Sequence, residues 1–272
     1  DGTIETGRLS DTTYQHQYVI GSGTPCTEGY TTFKVRVFNA SNSITAWAIK
    51  RHTFTLNTQY SPLLEAYIGA TSIWNYAQMF YLNSPTVYSK TLRAVTITSF
   101  ASSVTCSMMF RYCSALEYLK LPASFGNVSN FDYMFNGCSR LTSISLPTFS
   151  NRPINCTNMF SGCGGLLNIK LNSAFGQSYT LNAYQMFSDC SSLRKFEYQP
   201  AFGHITNASG MFYNCYSLSI VNNHQYIGSL STPCDFSQFM QSCEAFDGEL
   251  TIASLISKFG FIGTSSVNNK VT

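Results

Sequence analysis

The sequence has few charged residues. Asp, Glu, Lys and Arg make up only 11% of its 272 residues, whereas soluble domains average about a quarter. The formal net charge of +3 is too small to indicate binding to nucleic acid or to an anionic membrane surface. Ser, Thr, Asn and Tyr take the place of the missing charges. A surface of this kind is more usual on extracellular and viral proteins than on cytosolic enzymes.

The sequence also lacks the motifs of the common enzyme and metal sites. It contains no HExxH, GxSxG, P-loop or GxGxxG motif. Zinc sites typically use CxxC or HxxxH pairs, and no CxxC is present. No apolar run approaches the roughly 18 residues that can span a bilayer. These absences predict a protein that is not an enzyme and that has no cofactor, no metal site and no membrane span.

The most prominent feature that is present is a repeat. The pattern MFxxCxxL is complete five times, and successive copies begin 25, 25, 27 and 25 residues apart. A degenerate copy with Met79 and Phe80 precedes the set, and another with Phe239 and Met240 follows it. We predict a structural role for the Met, Phe and Cys of the complete copies. These residues are Met109, Phe110, Cys113, Met134, Phe135, Cys138, Met159, Phe160, Cys163, Met186, Phe187, Cys190, Met211, Phe212 and Cys215.

Each unit contains a segment with the periodicity of a strand. In the copy that begins at Met134, the apolar residues Leu141, Ile144 and Leu146 end in a spacing of two, which predicts a short strand. A phenylalanine follows this strand once per unit, and we predict that these rings stack inside the protein. They are Phe100, Phe125, Phe149, Phe175 and Phe202.

A second segment of each unit has a different periodicity. Phe131, Met134, Phe135 and Cys138 are spaced by 3, 1 and 3 residues, which predicts one face of a short helix. Gly137 is predicted to adopt the left-handed conformation that ends this helix. Stacked copies would place their strands about 4.8 Å apart in one parallel sheet. The prediction is therefore an α/β repeat protein.

The repeated residues also resemble a known family. The pattern MFxxCxxLxxIxLP is similar to the BspA-like leucine-rich repeats of bacterial surface proteins. The resemblance implies a leucine-rich-repeat solenoid with its parallel sheet on the concave face. It also implies an extracellular or cell-surface module for adhesion or ligand recognition, without catalysis.

The ends of the chain do not carry the repeat. Residues 31–57 alternate between polar and apolar side chains, with a turn at Asn39–Ser43, which predicts a hairpin. We therefore predict a β-rich N-terminal domain or cap at residues 1–57, the solenoid at 58–262 and a C-terminal tail at 263–272.

Six cysteines occupy one position in successive units, and we predict that they form a row of buried thiols that act as small apolar side chains. They are Cys113, Cys138, Cys163, Cys190, Cys215 and Cys243. The sequence leaves open whether Cys26, Cys106, Cys156 and Cys234 are thiols or form disulfides.

The outward positions of the predicted strands form two columns on the exposed face of the sheet. Repeat proteins commonly bind ligands on such an extended surface, and Tyr is a frequent anchor in recognition surfaces. We predict a ligand-binding role for Tyr67, Tyr118, Lys120, Lys170 and Lys195.

Two functional hypotheses follow from the sequence. The first is a non-enzymatic extracellular or cell-surface module that binds a host or surface protein, or a glycan, through the solenoid face. The alternative is a structural subunit of a phage fibre or an extracellular filament, exposed on the virion surface and able to self-associate.

Overall fold

The computed structural model describes residues 24–25, 31–32, 65–68, 76–81, 92–98, 100, 105–149, 154–170, 180–197, 205–222, 233–247, 249–250, 255–259 and 270–271. These residues form strands and turns, and they contain no helix. The strands are β1 (Thr24–Pro25), β2 (Thr31–Thr32), β3 (Glu65–Ile68), β4 (Ala94–Ile97), β5 (Tyr118–Lys120), β6 (Ile154–Asn155), β7 (Asn168–Lys170), β8 (Leu181–Asn182), β9 (Lys195–Glu197), β10 (Ile205–Asn207), β11 (Ile220–Asn222), β12 (Pro233–Phe236), β13 (Glu249–Leu250), β14 (Leu255–Phe259) and β15 (Lys270–Val271).

The chain divides into two compact units, Asp1–Ser41 and Asn42–Thr272. In the first unit, β1 pairs with β2 in antiparallel register, with Thr24 opposite Thr32. Apart from these two strands, the predicted β-rich segment 1–57 lies outside the described residues. The predicted tail 263–272 also lies outside them, except for β15, which pairs with β13 in parallel. The predicted domain boundaries stay predictions.

The second unit is a parallel-strand solenoid. The strands that follow the repeated Leu of each unit form two three-stranded parallel sheets, β3–β4–β5 and β7–β9–β11, which we call the leucine sheets. Their register aligns the outward positions as the repeat predicts. The aligned sets are Glu65, Ala94 and Tyr118; Tyr67, Thr96 and Lys120; Asn168, Lys195 and Ile220; and Lys170, Glu197 and Asn222.

The prediction of one continuous sheet is wrong at one point and incomplete at another. Residues 142–146, between β5 and β7, form no strand, so the leucine sheets are separated. A further parallel sheet, β6–β8–β10–β12–β14, runs along the solenoid and was not predicted. Bridges from Thr105 to Asn130 and from Asn130 to Asn155 extend it. We call this the asparagine sheet because asparagines recur along it.

The segments predicted as short helices are successive turns. In the copy at 131–138, the N–H groups of Met134 and Cys138 donate to the carbonyls three residues earlier, at 3.0 Å each. The N–H of Phe135 instead donates to Met159 O of the next copy, at 2.8 Å. In an α-helix, each N–H group donates to the carbonyl four residues earlier in the same helix. The helix prediction is wrong because every second N–H in these segments bonds to the neighbouring copy.

Left-handed residues also interrupt each of these segments. In the copy at 131–138, Tyr133 has φ of 53° and Gly137 has φ of 77°, so the predicted left-handed conformation of Gly137 is confirmed. A positive φ at the third residue of a turn is the mark of type II geometry. The equivalent residues of the other copies are also left-handed wherever the structure describes them. They are Gln78; Met108 and Tyr112; Asn158 and Gly162; Gln185 and Asp189; Gly210 and Asn214; and Gln238 and Ser242.

The interior contains two columns of aromatic rings. In the first, neighbouring phenylalanines of the MF pairs are stacked with centroids 5.1 to 5.6 Å apart and planes within 16° of parallel. This column comprises Phe80, Phe110, Phe135, Phe160, Phe187 and Phe212. In the second, the Phe125 ring centroid lies 5.3 Å from that of Phe100 and 4.9 Å from that of Phe149, so the rings form the predicted row, although their planes are tilted by 37° and 53° rather than stacked in parallel. Phe175 and Phe202 lie outside the described residues.

Candidate functional site

The recurring cysteines form a structural column rather than a reactive site. The Sγ of Cys138 donates to Phe110 O and the Sγ of Cys163 donates to Phe135 O, both at 3.2 Å. Each thiol therefore joins its own copy to the preceding one. The same bond recurs along the column, at 3.1 to 3.5 Å, for Cys113, Cys190, Cys215 and Cys243.

Burial also makes these thiols poor nucleophiles. It raises the pKa of Cys113 and Cys163 to about 12, so few of them are thiolates at neutral pH. Cys106, Cys156 and Cys234, which the sequence left open, are free buried thiols, whereas Cys26 lies outside the described residues. Within the part of the chain that the structure describes, no cluster of His, Cys, Asp and Glu could hold a metal ion.

Two of the predicted binding residues lie together on the first leucine sheet. Tyr118 is 58% exposed and Lys120, two residues later on β5, is also exposed. Side chains two apart on a strand share a face, and the register places Thr96 beside Lys120. Glu117, just before β5, forms an exposed ion pair with Arg140 at 3.0 Å.

A cleft opens where the leucine sheets separate. Strand β5 pairs with β4 on one side and with no described strand on the other. The cleft has a volume of about 430 Å³ and is lined by Tyr118, Lys120, Pro122, Ser145 and Pro147, among others. Because the segment 142–146 does not pair with β5, the cleft is open, and the ring of Tyr118 and the amine of Lys120 lie at its border.

The five predicted binding residues lie on two separate sheets. Tyr67, on β3, is aligned with Thr96 and so belongs to the same sheet as Tyr118 and Lys120. Lys170 and Lys195 lie on the second leucine sheet. The amine of Lys195 forms a partly exposed ion pair with Glu197 at 3.5 Å, and Lys170 is aligned with Glu197. The second leucine sheet therefore presents paired charges, unlike the cleft.

The asparagine sheet carries a column of asparagines that was not predicted from the sequence. Asn130, Asn155, Asn182 and Asn207 each lie four residues before the Met of an MF pair. Each side-chain oxygen accepts the N–H of the residue two positions later, for example from Thr157 at 3.1 Å. Such Asx turns are a common use of Asn at the start of a turn. The fixed distance from the MF pair was the signal that could have revealed them.

Arg111 forms a second feature that the sequence did not reveal. Its guanidinium carbon lies 4.8 Å from the ring centroid of Tyr112 and 4.6 Å from that of Tyr133. Its Nη2 donates to Tyr112 Oη at 3.0 Å and its Nε donates to Asn136 Oδ1 at 3.2 Å. Cation–π contacts of this kind stabilise by about 0.5–1 kcal/mol at exposed sites. Since these contacts join two successive copies, we assign Arg111 a structural role.

Comparisons with solved structures and with curated proteins show little similarity to this chain. In the described residues no helix is long and apolar enough to cross a membrane. A solved structure of a T. pallidum leucine-rich repeat protein is similar at 18% sequence identity and a TM-score of 0.43, over 70% of this chain and 76% of that chain. Comparison with curated proteins gives no match.

A match to a protein-family model identifies the family of this chain. The model of the BspA type leucine-rich repeat region matches residues 105–242 in 6 copies, which is just over half of the chain. The matched segment contains all five complete MFxxCxxL copies. The chain therefore belongs to the BspA-type leucine-rich repeat family.

Proposed function

We propose that the protein is a non-enzymatic binding module that recognises a protein partner through the first leucine sheet. The single observation that carries this proposal is the exposed pair Tyr118 and Lys120 beside the cleft. Leucine-rich-repeat solenoids serve as binding scaffolds, and extended repeat surfaces are suited to protein partners. We further propose that the module acts in adhesion at a cell surface or outside the cell, as the repeat type implies.

The contrast between the buried repeat residues and the variable outward residues of each copy supports binding through the first leucine sheet. The Met, Phe and Cys of every complete copy are at most 1% exposed, so a partner has no access to them. The outward strand positions differ from copy to copy, with Ala94 beside Tyr118 and Thr96 beside Lys120. A surface that varies over a constant interior can acquire specificity without loss of stability.

The chemistry of the cleft also favours a protein partner. Interface hot spots are enriched in Tyr, and they lie where a pocket excludes water. Tyr118 combines an apolar ring with a hydroxyl group, and Lys120 has no ion-pair partner among the described residues. Both side chains are therefore available to a partner with an acidic and an apolar group. Tyr67, Lys170 and Lys195 are proposed to extend the surface along the solenoid.

Replacing both Tyr118 and Lys120 by Ala should weaken partner binding at least tenfold, because two hot-spot truncations typically cost more than about 1 kcal/mol each. The measurement is binding of the full chain to biotinylated surface proteins of cultured epithelial cells on a streptavidin sensor. Tyr216→Ala provides the matched control, since Tyr216 is 45% exposed but lies outside the strands. The proposal fails if the wild-type protein does not bind, or if the double variant binds as well as wild type.

A further inference from the structure

Four asparagine side chains form a row on the asparagine sheet. Parallel bridges align Asn130 with Asn155, and Asn155 with Asn182. The next pairing aligns Asn182 with Asn207. Neighbouring strands of a sheet lie about 4.8 Å apart, so the row repeats its carboxamide groups at that period.

The hydrogen bonds of these side chains fix which end of each amide faces outward. The four Oδ1 atoms accept the N–H groups of Asp132, Thr157, Tyr184 and Ser209 at 2.9 to 3.1 Å. Because Oδ1 is engaged by the backbone, the NH₂ group is directed away from it. Among the described residues, no group accepts a hydrogen bond from any of the four Nδ2 atoms. The row is therefore a set of four available donors.

The groove beside the row is lined by amide and hydroxyl side chains together with the apolar Ile154, and Asp235 continues the row in the next copy. This groove has a volume of about 340 Å³ and lies beside three of the four asparagines, with Asn130, Asn155, Asn182, Ser129, Ile154, Thr180 and Thr206 in its lining. No charged side chain lines this groove. The asparagine side chains are half-buried, so a bound chain would contact the amides from one side only. A neutral groove gives no electrostatic advantage to an anionic or cationic polymer.

We propose that this row binds an extended, uncharged, β-linked polysaccharide, at a site separate from the first leucine sheet. A pyranose unit in an extended β-1,4-linked chain advances by nearly one strand spacing. Successive units are turned over, yet one edge of the chain still presents an acceptor oxygen to an Nδ2 group at every unit, a hydroxyl on carbon 2 or 3 of one unit and the ring oxygen or carbon-6 hydroxyl of the next. An extended peptide matches less well, because its carbonyls on one side recur every two residues, or about 6.6–6.8 Å. Tyr184, two residues after Asn182 and 37% exposed, supplies an aromatic ring close to the row in sequence.

The chain itself offers a matched substitution. Asp235 occupies the equivalent position in the next copy, and its Oδ1 accepts the N–H of Ser237 at 2.8 Å. The Asx turn therefore forms equally with Asp. Asn155→Asp and Asn182→Asp together keep this turn and the side-chain shape while replacing two NH₂ donors by acceptor oxygens.

Calorimetric titration of the full chain with cellohexaose, xylohexaose and chitohexaose tests the proposal. At least one of them should bind, and the N155D/N182D variant should bind it at least tenfold more weakly, while the Y118A/K120A variant keeps its affinity. Maltohexaose, whose α-linkages curve the chain, should bind more weakly. The proposal is overturned if none of the three β-linked hexaoses binds at millimolar concentration, or if N155D/N182D binds as tightly as wild type.

A second measurement does not depend on the folding of the variant. In the wild-type protein, the side-chain amide resonances of the four asparagines should shift when the β-linked hexaose that binds is added. Unchanged amide resonances together with measurable binding would place the ligand elsewhere and contradict the proposal. Loss of hexaose binding in Y118A/K120A would contradict it as well, whereas loss of protein binding in that variant bears only on the proposed function above.

Discussion

Between pH 8 and pH 10 the free energy of unfolding should fall steeply, because the interior contains nine free buried thiols. A free cysteine has a pKa of about 8.5. Burial raises the pKa of Cys113, Cys163, Cys234 and Cys243 to about 12. It raises the pKa of the remaining five well above the usual range: Cys106, Cys138, Cys156, Cys190 and Cys215. In this window the unfolded chain loses protons that the folded chain retains.

The direction and the size of this effect follow from proton linkage. Where the folded state binds more protons than the unfolded state, stability decreases as the pH rises. Each thiol that ionises only on unfolding lowers stability by about 1.4 kcal/mol per pH unit. Nine such thiols would remove on the order of 10 kcal/mol within one pH unit, which is comparable to the whole stability of a typical domain. The stabilisation is fully present below about pH 8 and is lost as the pH rises toward 12.

Urea unfolding at pH 7, 8, 9 and 9.5, followed by circular dichroism, measures this dependence. The matched control is a variant with Cys138→Ala and Cys163→Ala. The variant has two thiols fewer. The slope of its free energy of unfolding against pH should therefore be smaller than that of the wild type by about 2.7 kcal/mol per pH unit above pH 9. A free energy of unfolding that stays level from pH 7 to pH 9.5 would show that the thiols are not buried as the structure has them.

Phe160→Ala should destabilise the solenoid by about 3–5 kcal/mol, the usual cost of truncating a fully buried phenylalanine. Phe160 is 0% exposed and lies in the middle of the stacked column. Its ring centroid is 5.1 Å from that of Phe135 and 5.4 Å from that of Phe187. Removal of the ring leaves a cavity between the two neighbouring rings. The column cannot collapse into this cavity, because backbone hydrogen bonds hold each copy to its neighbours.

Phe160→Leu separates the loss of volume from the loss of stacking. It retains most of the apolar volume and should cost less than half as much, since ring pairs contribute only about 0.5–1.5 kcal/mol beyond the area they bury. Thermal and urea unfolding at pH 7 give both values. Equal destabilisation by Ala and Leu, or a loss under about 1 kcal/mol for Ala, would refute the structural role of the column.

The sequence predicted the features that side-chain burial alone determines. Leu141 and Leu146 are in the core as their spacing indicates, and the aligned positions Tyr118 and Ala94 follow from the 25-residue repeat. Gly137 is left-handed as predicted, and a side chain at its Cβ would lie 2.8 Å from the ring of Tyr112. These properties depend on which residues face inward, and periodicity reports that directly.

The features that were mispredicted depend on backbone hydrogen bonds. The spacing of Phe131, Met134 and Phe135 fits one face of a helix, yet it fits successive turns equally well. Only the bond from Phe135 N to Met159 O separates the two, and no side-chain pattern reports it. The break at residues 142–146 belongs to the same class. The asparagine column was readable from its fixed distance to the MF pair, but its significance required the Asx turns.

The repeated MFxxCxxL pattern builds an interior in which the cysteines are buried, unpaired and structural. Counting thiols with Ellman's reagent tests this most directly. The Cys26→Ser variant, which leaves only the nine described cysteines, should show no reactive thiol at pH 7.5 and nine after addition of guanidinium chloride. Rapid labelling of the folded protein, or fewer than nine thiols in the unfolded chain without reductant, would contradict the claim.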